Sequence, residues 1–159
     1  MSDPLGTYLN DHLSGAKAAI DLLEEMRDRD KDRPLAEFAT QLLADVQADR
    51  DTLQRLAEKV GSGSNVFKEF TGWLGEKATR LKVGEGSAGA FGTFEALELL
   101  ALGVLGKMGL WRALDVAAAD DPRLSGYDFK QLAARADRQH QLVERQRLEF
   151  ATTALRPIG

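Results

Sequence analysis

Apolar residues recur at three- and four-residue steps along almost the whole chain. That spacing confines the fold to packed amphipathic helices, because a half-buried strand needs a period of two. The first stripe is Leu5, Leu9, Leu13, Ala16, Ile20 and Leu23, widened by Tyr8, Ala19, Leu22 and Met26. Asp3-Pro4 places a capping acid and a first-turn proline in front of it. The charged run from Asp28 to Arg33 is too polar to bury. Pro34 then opens a second helix carrying Leu35, Phe38, Leu42, Val46, Leu53, Leu56 and Val60, which stops at Gly61-Ser-Gly-Ser.

Residues 65–82, with Val66, Phe67, Phe70, Trp73 and Leu74, predict a shorter crossover helix, and Gly84, Gly86, Gly89 and Gly92 predict an irregular link. A long helix from about Thr93 to Ala118 presents Leu97, Ala101, Val104, Met108 and Trp111 on one face and Leu99, Leu102, Leu110 and Ala113 on the other. Gly103, Gly106 and Gly109 lay a flat strip along it, suited to close approach by another helix. Asp120-Asp-Pro122 ends that helix. Asp128 with Gln131 forms a capping box, and Tyr127 with Leu132 a hydrophobic staple, for a last helix from Phe129 to about Leu155.

A chain of 159 residues suits one domain, 1–159, with the crossover helix and glycine link at about 62–92. The net charge of -4 and the lack of a concentrated basic patch argue against nucleic acid and against an anionic membrane surface as partners. The absence of cysteine excludes disulfides, thiol catalysis and cysteine-held zinc or iron–sulfur centres. MSDPLGTYL has neither the basic nor the long apolar region of a signal peptide, and Leu97 to Leu110, broken by Glu98 and Lys107, is shorter than the roughly 20 residues of a membrane span. A cytoplasmic address is the default expectation.

Two long hairpins joined by roughly thirty residues match a four-helix bundle with one long connection. The connection is long enough to carry the chain from one end of the bundle to the other, which would leave the second and third long helices parallel. In the segments YLNDHLSGAKAAIDLLEEM and FKQLAARADRQHQLVERQRLEF the chain resembles bacterial ferritin-like bundle proteins, and the likeness spans nearly its whole length. The resemblance implies an all-α ferritin-like four-helix bundle with an additional crossover helix between helices 2 and 3. In di-iron and di-manganese members of that group, two helices each give a Glu and the other two each give Glu-x-x-His. This chain departs from the pattern. His12 stands where a Glu is expected, Ala48 and Thr52 follow Asp45 and Asp49 at the histidine position, and Glu95 and Glu98 sit near the start of their helix. The one partial match, Asp137-Arg-Gln-His140, turns Asp137 about 110° from the apolar centre.

Polar residues on inward faces nominate a site. His12 projects close to the centre of the first apolar arc, and Asp49 within about 30° of the centre of the second. Both lie roughly 22 Å from the hairpin turn, so they are expected to face each other. Gln139 and His140 flank the last stripe, and Lys107 sits at the edge of its helix's inner face. The buried polar cluster His12, Asp49, Gln139 and His140 reads in two ways. In one, His12 and Asp49 hydrogen-bond each other and fix the pairing of the first two helices. In the other, His12, Asp49 and His140 hold a single Fe, Mn or Zn ion.

The expected role is a non-enzymatic scaffold or binding protein with no cofactor and no small ligand assigned. The alternative is a divergent metal-dependent Fe or Mn oxidoreductase. No catalytic set stands out, since neither a Ser, His and acid arrangement nor a phosphate-binding glycine loop has motif support. If the chain forms a homodimer, the apolar back of helix 3 or the aromatic crossover helix is the expected contact.

Overall fold

The computed structural model describes residues 3–29, 33–62 and 87–157. They form four long helices, α1 (Pro4–Arg29), α2 (Pro34–Val60), α3 (Ser87–Ala117) and α4 (Phe129–Ala154), with a 3-10 turn at Pro122–Leu124 before the last. No strand occurs among the described residues. The predicted crossover helix at 65–82 lies outside them.

Local chemistry sets most of the helix ends. The Asp3 carboxylate accepts the Leu5 N–H at 3.1 Å, and the Asp128 carboxylate accepts the Gln131 N–H at 2.9 Å, each satisfying a donor that the first turn leaves without an intrahelical partner. Pro34 occupies the first turn of α2, and Gly61 closes that helix at φ 87, a left-handed conformation that side chains rarely adopt. The start of α3 departs from expectation. Residues 87–92, predicted as irregular link, are helical, and Gly89 and Gly92 are buried there. A glycine in a helix costs about 1 kcal/mol of propensity, and in a packed bundle the tertiary burial of the whole helix outweighs that cost.

Two apolar clusters fill the bundle. One joins Leu9 and Leu13 from early α1, Leu53 and Leu56 from late α2, Met108, Trp111 and Leu114 from late α3, and Phe129 and Ala133 from early α4. The other joins Leu23 and Met26, Leu35 and Leu42, Leu97 and Leu100, and Val143 from the opposite ends of the same helices. Helices α1 and α4 therefore run one way, and α2 and α3 the other. The Lys59 ammonium, donating to the Ser125 carbonyl at 2.9 Å, and Arg123, paired with Asp3 at 2.9 Å, mark the shared end. Helix α1 packs beside α2 and α3, and α4 packs beside α3.

Helix α3 is long and apolar enough, by length and composition, to cross a membrane over Gly89–Ala117, a longer stretch than the run Leu97 to Leu110. Its inner face carries Leu97, Leu110, Trp111 and Leu114, nearly or wholly buried, whereas Leu102, Leu105 and Val116 on its outer side are exposed.

Candidate functional site

Helical periodicity puts Asp49 in the same stripe of α2 as Val46 and Leu53, and the carboxylate is 3% exposed. A charge at that depth needs compensation. It comes from the far side of the bundle: the Lys107 ammonium on α3 donates to Asp49 Oδ2 at 2.6 Å and also to Gln139 Oε1. Gln139, on α4 and 2% exposed, returns its amide N–H to the same Asp49 Oδ2 at 3.0 Å. Three helices thus meet in one closed triangle of hydrogen bonds. Arg135 adds a second cation, its Nε 3.5 Å from Asp49 Oδ1, while its Nη2 donates to Asp45 Oδ1 at 3.2 Å. Burial pushes the Lys107 amine below its ordinary value of 10.5, and the Asp49 charge pulls it back up.

The expected bond between His12 and Asp49 is not made. His12 is half-buried and meets the Tyr8 ring edge-on at 4.8 Å between centroids, one turn earlier on its own helix. Burial lowers its pKa below the ordinary 6.5, opposed by Asp11. The lysine arm explains the change of partner. Four methylenes carry the Lys107 ammonium from the edge of its helix face to the bundle centre, a reach that a projected angle does not register.

His140 is half-buried beside Glu144, whose carboxyl is held below the ordinary range, mainly by its hydrogen bonds from Arg147. The four candidate residues divide accordingly. Asp49 and Gln139 bond each other directly, whereas His12 and His140 stand outside that network. Among the described residues, no three of His, Cys, Asp and Glu gather in a way that could hold a metal ion.

Lys107 is the member that sequence reasoning left at the margin. A signal for it was present: it is the lone charge between Glu98 and Arg112, in the most apolar helix of the chain, and a lysine so placed must find an acceptor inside.

The polar triangle borders a cavity of about 490 Å³ between α1, α2 and α3. Its walls are mostly aliphatic, including Ala19, Val46, Leu53 and Leu110, with Asp11, His12, Asp49, Arg50, Lys107 and Trp111 as its polar or polar-tipped members. Glycines keep it open. Gly15, Gly103 and Gly106 line it, and a Cβ added at any of the three would meet nothing within 4 Å. The flat glycine strip of α3 is therefore not covered by another helix among the described residues; its 103 and 106 positions face open space. Two buried polar atoms on residues lining this cavity, Asp49 Oδ1 and Trp111 Nε1, have no hydrogen-bond partner among the described residues.

Compared with protein-family models, with curated proteins and with solved structures, the chain finds no match.

Proposed function

We propose that this chain is a ferritin-like bundle that works as a non-enzymatic binding protein, holding a small, mostly apolar molecule between α1, α2 and α3. The observation that carries this reading is the cavity itself. Its volume of about 490 Å³ falls within the range of small-molecule sites, and aliphatic walls with a few convergent polar groups are the usual make-up of such sites. The ferritin-like part of the proposal is supported by the long helices and by the parallel course of α2 and α3, which the clusters at the two ends define. The polar triangle is already satisfied on the Lys107 side, so it serves to fix the helices around the cavity and not to carry out chemistry.

A neutral fluorescent naphthylamine probe tests this. It should gain intensity with the intact protein and lose most of that gain with Gly103→Leu, which fills the open wall, provided circular dichroism shows both proteins equally helical. An equal signal from both would defeat the reading.

A single Fe, Mn or Zn ion is the second reading, favoured only by His12 and Asp49 bordering the same cavity. Stoichiometric metal in protein purified without chelator, lost in His12→Ala, would put it ahead.

A further inference from the structure

We infer that the connecting segment 65–82 of this chain docks lengthwise on the outer face of α3, an inference that goes beyond the ligand reading and does not depend on it. That face is apolar over most of the helix. Phe91, Leu102, Leu105 and Val116 are 40%, 53%, 40% and 76% exposed, and Gly109 and Ala113 are exposed between them. At ~100° per residue the six fall within an arc of roughly 80°, so they form one stripe and not the scattered exposure that needs no explanation. The stripe adjoins the cavity only at Leu102.

Chain length and the places where the connection begins and ends name the occupant. The bond between Asp49 and Lys107 sets α2 and α3 level at those residues. Ser62 stands thirteen residues beyond Asp49 and Ser87 twenty before Lys107, so at ~1.5 Å per residue the two lie roughly 50 Å apart along the bundle. Twenty-four residues join them. As one continuous helix they would reach only about 37 Å. With the helix predicted over 65–82 and the rest extended, the reach is about 52 Å, which leaves almost no slack. Such a connection has to follow the bundle axis, antiparallel to α2 and α3. Of those two helices, α2 turns Glu37, Gln41, Asp51, Arg55 and Glu58 outward, whereas α3 presents the apolar stripe. The segment supplies the matching surface, with Val66, Phe67, Phe70, Leu74 and Leu81 on one arc of its predicted helix. Charge agrees with the same register. Laid antiparallel, Arg80 and Lys82 come level with Glu98 and Glu95, and Glu69 comes within a turn of Arg112.

Crosslinking in the full chain tests the placement. Cysteines introduced by Ala78→Cys and Leu102→Cys should be joined within one monomer by a short bismaleimide, because the register sets the two positions about 3 Å apart along α3. Ala78→Cys with Val116→Cys should not be joined, since the same register separates them by about 24 Å. A second measurement needs no cysteine. Leu105 is already 40% exposed, so a charge there disturbs little unless something rests on it. With the segment docked, Leu105→Asp should speed trypsin cleavage after Lys77 and Arg80 roughly tenfold, while cleavage within α1, α2 and α4 stays as in the parent. Joining of both cysteine pairs alike, or of neither, would overturn the inference, and so would an unchanged cleavage rate in Leu105→Asp. Joining between two chains, seen as a dimer band, would hand the face to a second copy, and flotation of the protein with phosphatidylcholine vesicles would hand it to a bilayer; either result overturns the docking of 65–82.

Discussion

A carboxylate buried as deeply as Asp49 holds its charge only while its surroundings compensate it, and two donors from two other helices converge on one of its oxygens. Asp49→Ala takes the acceptor from both at once and leaves Lys107 to face a low-dielectric interior. It should lower stability by about 3 kcal/mol, the usual result of breaking a buried pair by removing one partner, measured as a shift in the urea midpoint. Replacing the triangle entirely, with Asp49→Leu, Lys107→Met and Gln139→Leu together, should recover most of that loss, because no polar group is then stranded. His12 obeys a different rule. Its pKa is lowered in the folded protein, so between that value and 6.5 the unfolded chain holds a proton that the folded one does not. Stability should therefore fall as pH drops from 6.5 through the folded value, and His12→Gln should flatten that part of the stability–pH profile relative to the parent.

Helix boundaries were legible wherever a single residue carries the signal. Pro34, Gly61 and the Asp128 cap act through their own backbone or one nearby N–H, and the structure places helix ends at all three. The start of α3 was not legible in this way, because Gly89 and Gly92 are buried in a helix whereas a local reading of glycine favours a turn. The same limit hid the partner of Asp49. Periodicity says which way a side chain leaves its own helix, but not how far a lysine will reach across the bundle.

Two glycines at helical positions make the point testable. A Cβ at Gly6 would come within 2.8 Å of Ser62 Cβ, where the start of α1 crosses the end of α2, so Gly6→Ala should destabilise by about 1–3 kcal/mol through a forced shift. At Gly103 a Cβ meets nothing within 4 Å, and Gly103→Ala should instead stabilise by about 0.5–1 kcal/mol by restoring helix propensity. Thermal melts of the two variants should move in opposite directions.

Across the whole molecule, the polar triangle and the two apolar clusters answer different questions. The clusters supply most of the buried surface but would tolerate a helix sliding by a turn, since one Leu resembles the next. Asp49, Lys107 and Gln139 can meet in only one axial arrangement, so they set the level of α2, α3 and α4 relative to one another. That arrangement includes the parallel course of α2 and α3, with Lys59 near the end of α2 beside Ser125, just beyond the end of α3. An antiparallel α2 and α3 would instead bring the start of α2 to Ser125. The chain has no cysteine of its own, so a pair introduced at Lys59 and Ser125 can be joined by a short bismaleimide without background reaction. The pair Thr40 and Ser125 should not join, because Thr40 lies about 28 Å back along α2. Efficient crosslinking of the second pair, and not the first, would reverse the direction of α2 and with it the cavity wall on which Asp49 stands.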